Sequence, residues 1–386
     1  MSRRICVVTG SRSDFGHLSS VMRAIDAHSD LTLQTVVTGQ HLDARFGETW
    51  RDVEDEGFTI DAKVDLDLGN DTPLAAARAV GTAVIHVSEA LATLEPDIVL
   101  VLGDRFEILG AAEAALMLNI PLAHIHGGEV TEAAVDDAIR HAITKMARLH
   151  FCAAEPYAKR LRQLGEDPAH IHLVGAPGLD HLDTLTCLSR DALAADLGIA
   201  LPTPLFVVTH HPVTLQLDRG AAEITAVVDA LNQFDTATMV FTGVNSDPGY
   251  SLVRNALNAF ASKDKKRRCV VESLGYKRYL SLLAIADVVI GNSSSGLIEA
   301  PAIGVPTVNV GDRQKGRLRG PLVIDSVADS DAITAAITRA LDPSFKKSAD
   351  GDDPPYGRGG AGTKIADVLA ETSMDALKQK SFHDLP

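Results

Sequence analysis

Short apolar, β-branched runs alternate with longer amphipathic segments along the whole chain, the pattern of parallel strands joined by crossover helices. A first set comprises Ile5 to Thr9, Leu33 to Thr38, Ile98 to Leu102, Leu122 to Ile125, His150 to Ala153 and Ile171 to Val174. A second comprises Phe206 to Thr209, Met239 to Thr242, Cys269 to Glu272, Val288 to Ile290 and Thr307 to Val310. Each set is complete enough for a doubly wound sheet, so the expected class is α/β with two facing Rossmann-like domains. The boundary is expected between about Gly175 and Pro204. That gives an N-terminal domain over 1–180 and a C-terminal domain over 181–386, whose last segment is free to pack back on the first.

Most runs end in a polar or glycine-rich corner, as at Gly10 to Asp14, Gly103 to Glu107, His126 to Glu129, Thr209 to Thr214 and Gly291 to Ser295. Open α/β sheets bind ligands beyond the carboxyl ends of their strands, which puts the expected site in the cleft between domains. Thr131 to Leu149 predicts a helix capped by Thr131, with Val135, Ala138, Ile139, Ala142, Ile143 and Met146 on one apolar face. Its pairs Asp136/Arg140 and His141/Lys145 have i,i+4 spacing, which leaves Arg140 and Lys145 balanced between a solvated face and a functional one. Asp350 to Thr363 reads as low in order, with Pro355, Tyr356 and Gly357 as an alternative loop against the cleft.

Composition narrows the partners. A length of 386 residues suggests two domains, and 46% hydrophobic residues suffice for two cores. The formal net charge of −15 argues against a nucleic-acid partner, so an anionic substrate needs a local basic pocket. Cys6, Cys152, Cys187 and Cys269 show no CxxC spacing, which indicates neither a zinc site nor a disulfide framework and suits a reducing cytoplasm. The apolar run within MSRRICVVTGS is far short of a signal segment or a membrane span, so a soluble, cytoplasmic protein is expected.

The run Ile290 to Arg319 reads as a strand, a phosphate-binding turn, a short helix, a second strand and a basic loop, the order that builds a nucleotide pocket. Backbone N–H groups at a helix start favour an anion. Glu299 is placed to accept from ribose hydroxyls and Arg313 to close on a diphosphate. In GDRFE, Asp104 and Glu107 follow an apolar strand with Arg105 as a local partner, and carboxylates there are costly unless used or paired. HIHGGE adds His124, His126 and Glu129, groups suited to proton transfer at neutral pH. Of His210 and His211, the second is the better candidate to face a ligand, because strand side chains alternate.

GSRSDFG offers Arg12 and Ser13 but not GxGxxG, which disfavours a nicotinamide dehydrogenase; GxxxxGK[ST], GxSxG and HExxH are likewise missing. A metal site can be drawn from His124, His126, Glu129, Asp104 and Asp136. Arg12 and Arg313 already supply cations for a diphosphate, so no metal or other cofactor is expected.

With these residues located, the chain closely resembles the hydrolysing UDP-N-acetylglucosamine 2-epimerases of bacterial sialic- and legionaminic-acid synthesis, relatives of the epimerase domain of the animal bifunctional epimerase/kinase. TGSRSDFG, TGQHL, VLGDRFE, HIHGGEVTE, DDAIRHAITKMARLHF, HHPVT, GNSSSGLIEAP and NVGDRQKGR carry the resemblance in one order over nearly the whole chain. It implies the GT-B-like two-domain fold of nucleotide-sugar glycosyltransferases, often as a homodimer or homotetramer. It also implies conversion of UDP-N-acetylglucosamine and water to N-acetylmannosamine and UDP, by elimination to a 2-acetamidoglucal and rehydration with inversion at C2.

By matching positions, the resemblance implies that Arg12, His211, Ser293, Ser294, Glu299 and Arg313 hold UDP, mainly on the second domain. The expected proton carriers are Asp104 and Asp136, with His126 as a further carrier and Glu107 and Glu129 supporting the geometry. One position departs from part of the family: the third residue of HIHGGE is glutamate in the animal enzymes and some bacterial ones, and here it is His126. Two rival readings stand beside this one. The first is the same chemistry on UDP-2,4-diacetamido-2,4,6-trideoxy-glucose. The second is a glycosyltransferase, which would need an acceptor site that a chain with 4% aromatic residues does not display.

Overall fold

A computed structural model describes residues 2–132, 134–182, 186–215, 217–347 and 354–385. The chain forms two compact units: Met1–Glu129, Val135–Asp183 and Tyr356–Pro386 make the first, and Val130–Ala134 with Thr184–Pro355 the second.

The first unit is built on seven parallel strands: β1 (Arg3–Thr9), β2 (Leu31–Thr38), β3 (Ala62–Val64), β4 (Ile98–Leu102), β5 (Leu122–Ile125), β6 (Leu149–Cys152) and β7 (Ile171–Leu173). Their order in the sheet is β3-β2-β1-β4-β5-β6-β7. Successive residues of β1 feed opposite cores. Ile5 and Val7 join Phe15, Leu18 and Ile365, under the helices Arg12–Ala27 and Ala361–Glu371. Cys6 and Val8 join Ala79, Ala83 and Ile108, under the helices Pro73–Leu94 and Phe106–Met117. With both faces covered the strands are apolar throughout rather than alternating. By length and composition the helix Pro73–Leu94 could cross a membrane; its Ala79, Ala83, Val87 and Leu91 pack into the first unit's core.

The second unit holds β8 (Leu205–Thr209), β9 (Thr238–Thr242), β10 (Arg268–Val271), β11 (Val288–Gly291), β12 (Thr307–Val310) and β13 (Val323–Ser326), all parallel in the order β10-β9-β8-β11-β12-β13. In both sheets the chain winds first to one side and then to the other. The switch points fall between β1 and β4 and between β8 and β11. At such points neighbouring corners diverge and leave a crevice at the strands' carboxyl ends.

All eleven expected strand runs are strands, with ends moved by at most two residues. The two that periodicity missed, β3 and β13, are edge strands of three and four residues with polar neighbours. An edge strand lacks one covering neighbour, and its apolar signal is correspondingly weak.

The expected helix Thr131 to Leu149 needs correction. It runs Asp136–Met146, and Thr131 does not cap it. The chain over 130–134 belongs to the second unit instead, where the Glu132 N–H donates to the Lys315 carbonyl (3.2 Å). Val135, Ala138 and Ala142 are exposed, while Arg140, Ile143 and Thr144 are buried. The low-order stretch also changes. Residues 350–353 lie outside the described residues, but Tyr356 is buried with its hydroxyl 3.0 Å from that of Tyr157. Ala361 already begins a helix, because the Asp180 carboxylate accepts from the N–H groups of Ala361 (2.8 Å) and Gly362 (2.7 Å) and caps it.

Candidate active site

At the first unit's switch point, the corner after β1 meets the corner after β4. Ser11 caps the helix Arg12–Ala27 by accepting from the Asp14 N–H (3.3 Å), and the Asp14 carboxylate accepts from the Gly10 N–H (3.3 Å). Glu107 is wholly buried and accepts from Arg105 Nε at 2.6 Å. Its side chain occupies space that Gly10 must leave open, since a Cβ there would lie 2.5 Å from Glu107 Cγ. Glu107 therefore braces the β1 and β4 corners against each other.

Burial drives Asp14 up to about 7, against Arg105, which lowers it, and with Glu107, which raises it further. A carboxyl raised in the folded state binds a proton that the unfolded chain, at about 3.9, has already released. Its contribution to stability is complete below about pH 4 and is lost as pH rises through 7. Asp14→Asn cannot ionise and keeps an acceptor for Gly10, so its melting temperature relative to wild type is expected to climb by several degrees between about pH 4.5 and 7.5. A pH-independent difference in thermal melts would refute this assignment.

Asp104, one residue past Gly103, pairs with Arg140, which is completely buried and has Asp137 at 3.8 Å as a second carboxylate. The helix Asp136–Met146 thus turns a cation toward the β4 corner. Arg140 is no solvated surface residue, whereas Lys145 stays partly exposed and donates to the buried Glu166 at 2.7 Å. Asp136 opens the same helix one turn before Arg140, on the same face.

His126 follows β5 in a left-handed conformation (φ 64°), unusual for a residue with a Cβ. Its Nδ1 lies 2.6 Å from Glu129 Oε1, and both side chains are buried. A carboxylate accepts, so Nδ1 carries the proton and Nε2 is the nitrogen left for exchange. The His17 ring stands edge-on to this imidazole at 6.1 Å.

His124 does something different. Burial lowers it to about 3, so it is neutral. Its Nε2–H donates to the Gly103 carbonyl (2.7 Å) and its Nδ1 accepts from the Thr144 hydroxyl (3.2 Å). Of the three titratable groups in HIHGGE, this one is consumed in holding the turn that presents Asp104. Among the described residues no three His, Cys, Asp or Glu side chains converge as metal ligands, so the metal set drawn from the sequence is not assembled.

The second unit's switch point gathers five of the six residues expected to hold UDP. Arg12 is the exception, at the start of its helix in the first unit. His211 follows β8, and its Nδ1 accepts from the Asn245 N–H (3.3 Å). Ser293 accepts from the Ser295 N–H (3.4 Å) and caps a single turn, Ser294–Gly296, whose Ser295 hydroxyl meets Tyr279 at 2.7 Å. Glu299 is buried at the start of the helix Glu299–Ile303, which is five residues long and too short for much of a macrodipole. Arg313 donates to the Asn292 carbonyl at 3.2 Å and has Asp247 at 3.9 Å.

Sequence reasoning leaves Arg140 open and misses Asn292 and Gln314. A buried arginine in an amphipathic pattern and an asparagine just past a strand are the only signals, and each is common elsewhere.

The sequence matches the family model described as UDP-N-acetylglucosamine 2-epimerase over residues 23–370. A Campylobacter jejuni protein described as GDP/UDP-N,N'-diacetylbacillosamine 2-epimerase (hydrolyzing) is 36% identical over 384 residues, covering 99% of each chain. One from Legionella pneumophila, described as UDP-N,N'-diacetylbacillosamine 2-epimerase (hydrolyzing), is 36% identical over 349 residues, 90% of this chain and 92% of the relative. Among solved structures, a Neisseria meningitidis UDP-GlcNAc 2-epimerase bound to UDP-GlcNAc superposes with a TM-score of 0.80 at 17% identity, covering 96% of this chain and all of the other (100%).

Proposed function

Because the chain belongs to the UDP-N-acetylglucosamine 2-epimerase family and is a hydrolysing UDP-sugar 2-epimerase, we propose that its substrate is UDP-2,4-diacetamido-2,4,6-trideoxy-glucose. The observation that carries this choice is the similarity to the two relatives at 36% identity described as acting on N,N'-diacetylbacillosamine, since that is the same sugar. UDP-N-acetylglucosamine is the second reading, favoured by the description of the family model. The two sugars are alike at C1 and C2, so the chemistry is common to both.

The C2 proton is weakly acidic, and its removal has to be coupled to departure of UDP from C1, leaving a 2-acetamidoglucal. Water then adds across the double bond, oxygen to C1 and a proton to C2 from the opposite face. Inversion therefore requires two proton-handling groups in different surroundings. Asp104 is held as a carboxylate in its ion pair with Arg140, which suits it to take the C2 proton. His126 is backed by Glu129, which stabilises an imidazolium and suits Nε2 to deliver a proton to the other face. Asp136, one turn from Arg140, relays protons between this pair and water. In the second unit, His211, Ser293, Ser294, Glu299 and Arg313 hold UDP, with Arg313 stabilising the charge that develops on the leaving diphosphate. Arg12 is the sixth residue assigned to UDP.

The test is turnover on both nucleotide sugars with the products identified by NMR. We expect kcat/KM for the diacetamido-trideoxy sugar to exceed that for UDP-N-acetylglucosamine by at least about tenfold, a transition-state difference of about 1.4 kcal/mol. A preference in the other direction rejects the substrate assignment and leaves the 2-epimerase chemistry in place.

A further inference from the structure

His211 sits two residues beyond the end of β8, where no neighbouring strand remains to satisfy its backbone. The last paired residues of β8 and β11 are Thr209 and Gly291. The Asn292 N–H continues the ladder one step by donating to the Thr209 carbonyl at 3.0 Å. Beyond that step the Asn292 side chain takes over. Its Oδ1 accepts from the His211 N–H (2.7 Å) and its Nδ2 donates to the His211 carbonyl (2.8 Å). One carboxamide thus exchanges both bonds with a single residue, as an antiparallel strand neighbour would. The close approach depends on Gly291, at φ 135°, where a Cβ would fall 1.9 Å from the Thr209 carbonyl oxygen.

The same residue reaches a third corner. The Asn292 carbonyl accepts from Arg313 Nη1 (3.2 Å) and from Gln314 Nε2 (2.8 Å), in the loop after β12. Asn292 and Gln314 are almost wholly buried, so these bonds are sheltered from competing water. His211, Arg313 and the serine turn lie on separate loops, and Asn292 is where the three are tied.

We propose that Asn292 is a positioning residue that sets the His211 imidazole and the Arg313 guanidinium for the nucleotide. The inference rests on the reading of this cluster as the UDP site. Binding of UDP to the full-length chain, measured by calorimetry, is expected to weaken at least tenfold in Asn292→Ala. Asn292→Asp keeps the size and the acceptor for the His211 N–H but turns an oxygen toward the His211 carbonyl, and is expected to weaken binding at least as much.

The bond to Arg313 is made by the Asn292 backbone carbonyl, which the substitutions keep, whereas the Asn292 side chain acts through His211, so the losses are expected to be non-additive: Asn292→Ala added to His211→Ala should weaken UDP binding by less than about twofold beyond His211→Ala alone. A merely structural residue would lower thermal stability and give additive losses, which would overturn the proposal. So would unchanged UDP affinity in both single variants. Hydrogen exchange followed by mass spectrometry provides a readout that needs no ligand: residues 209–214 are expected to exchange faster in either variant, and unaltered exchange there contradicts the bracket. A wild-type chain that binds no UDP rejects the ligand assignment, whereas the exchange experiment still decides whether Asn292 fixes His211.

Discussion

Asp104→Asn is expected to lower kcat by at least about a thousandfold while changing the affinity for UDP by less than about threefold. General base catalysis by a positioned carboxylate contributes roughly 10²–10⁴ in rate, and an amide of the same shape cannot accept the C2 proton. UDP affinity stays because the residues assigned to UDP are other residues, five of them in the second unit, and the exchange of carboxylate for amide leaves their network untouched. The substitution has a second consequence. Arg140 is fully buried, and Asp104 is its nearer carboxylate, with Asp137 at 3.8 Å. Leaving a buried cation with a neutral partner destabilises a protein by about 3–5 kcal/mol when nothing compensates. Asp137 and the amide oxygen of the new side chain offset part of that loss, so the variant is expected to fold with a lowered melting temperature. Steady-state kinetics, calorimetry with UDP and a thermal melt on the same preparation separate the effects. Turnover within tenfold of wild type would remove Asp104 from the role of base.

The fold is largely legible in the sequence because doubly wound sheets bury their central strands on both faces. Ile98 to Leu102 and Phe206 to Val208 stand out as unbroken apolar runs for that reason. The corners after β4 and β11 are legible too, since the backbone there turns sharply and the residues that permit it, Gly103 and Gly291, both adopt positive φ. What periodicity cannot report is which buried polar group finds which partner. In sequence Arg140 looks like half of a surface pair with Asp136, and its partner Asp104 lies on a different strand end. His124 looks like a proton carrier beside His126, yet its carbonyl and hydroxyl partners come from Gly103 and Thr144. Asn292 looks like the start of a phosphate turn, and its side chain is spent on the backbone of His211. Each of these depends on contacts between residues far apart in the chain, where packing rather than local pattern decides.

Incorporation of solvent hydrogen at C2 is the all-or-none signature of the account. Direct hydrolysis of the glycosidic bond leaves the C2–H bond intact, whereas elimination breaks it and rehydration remakes it with a proton that has passed through a side chain in contact with solvent. His126 and Asp104 are assigned to opposite faces, so the hydrogen delivered is not the one removed. The reaction run in D₂O with the nucleotide sugar, followed by NMR of the released sugar, reads this directly. The account predicts one deuterium at C2 in essentially every product molecule, with the manno configuration at that carbon. Product that retains its original hydrogen at C2, or keeps the gluco configuration, would contradict it.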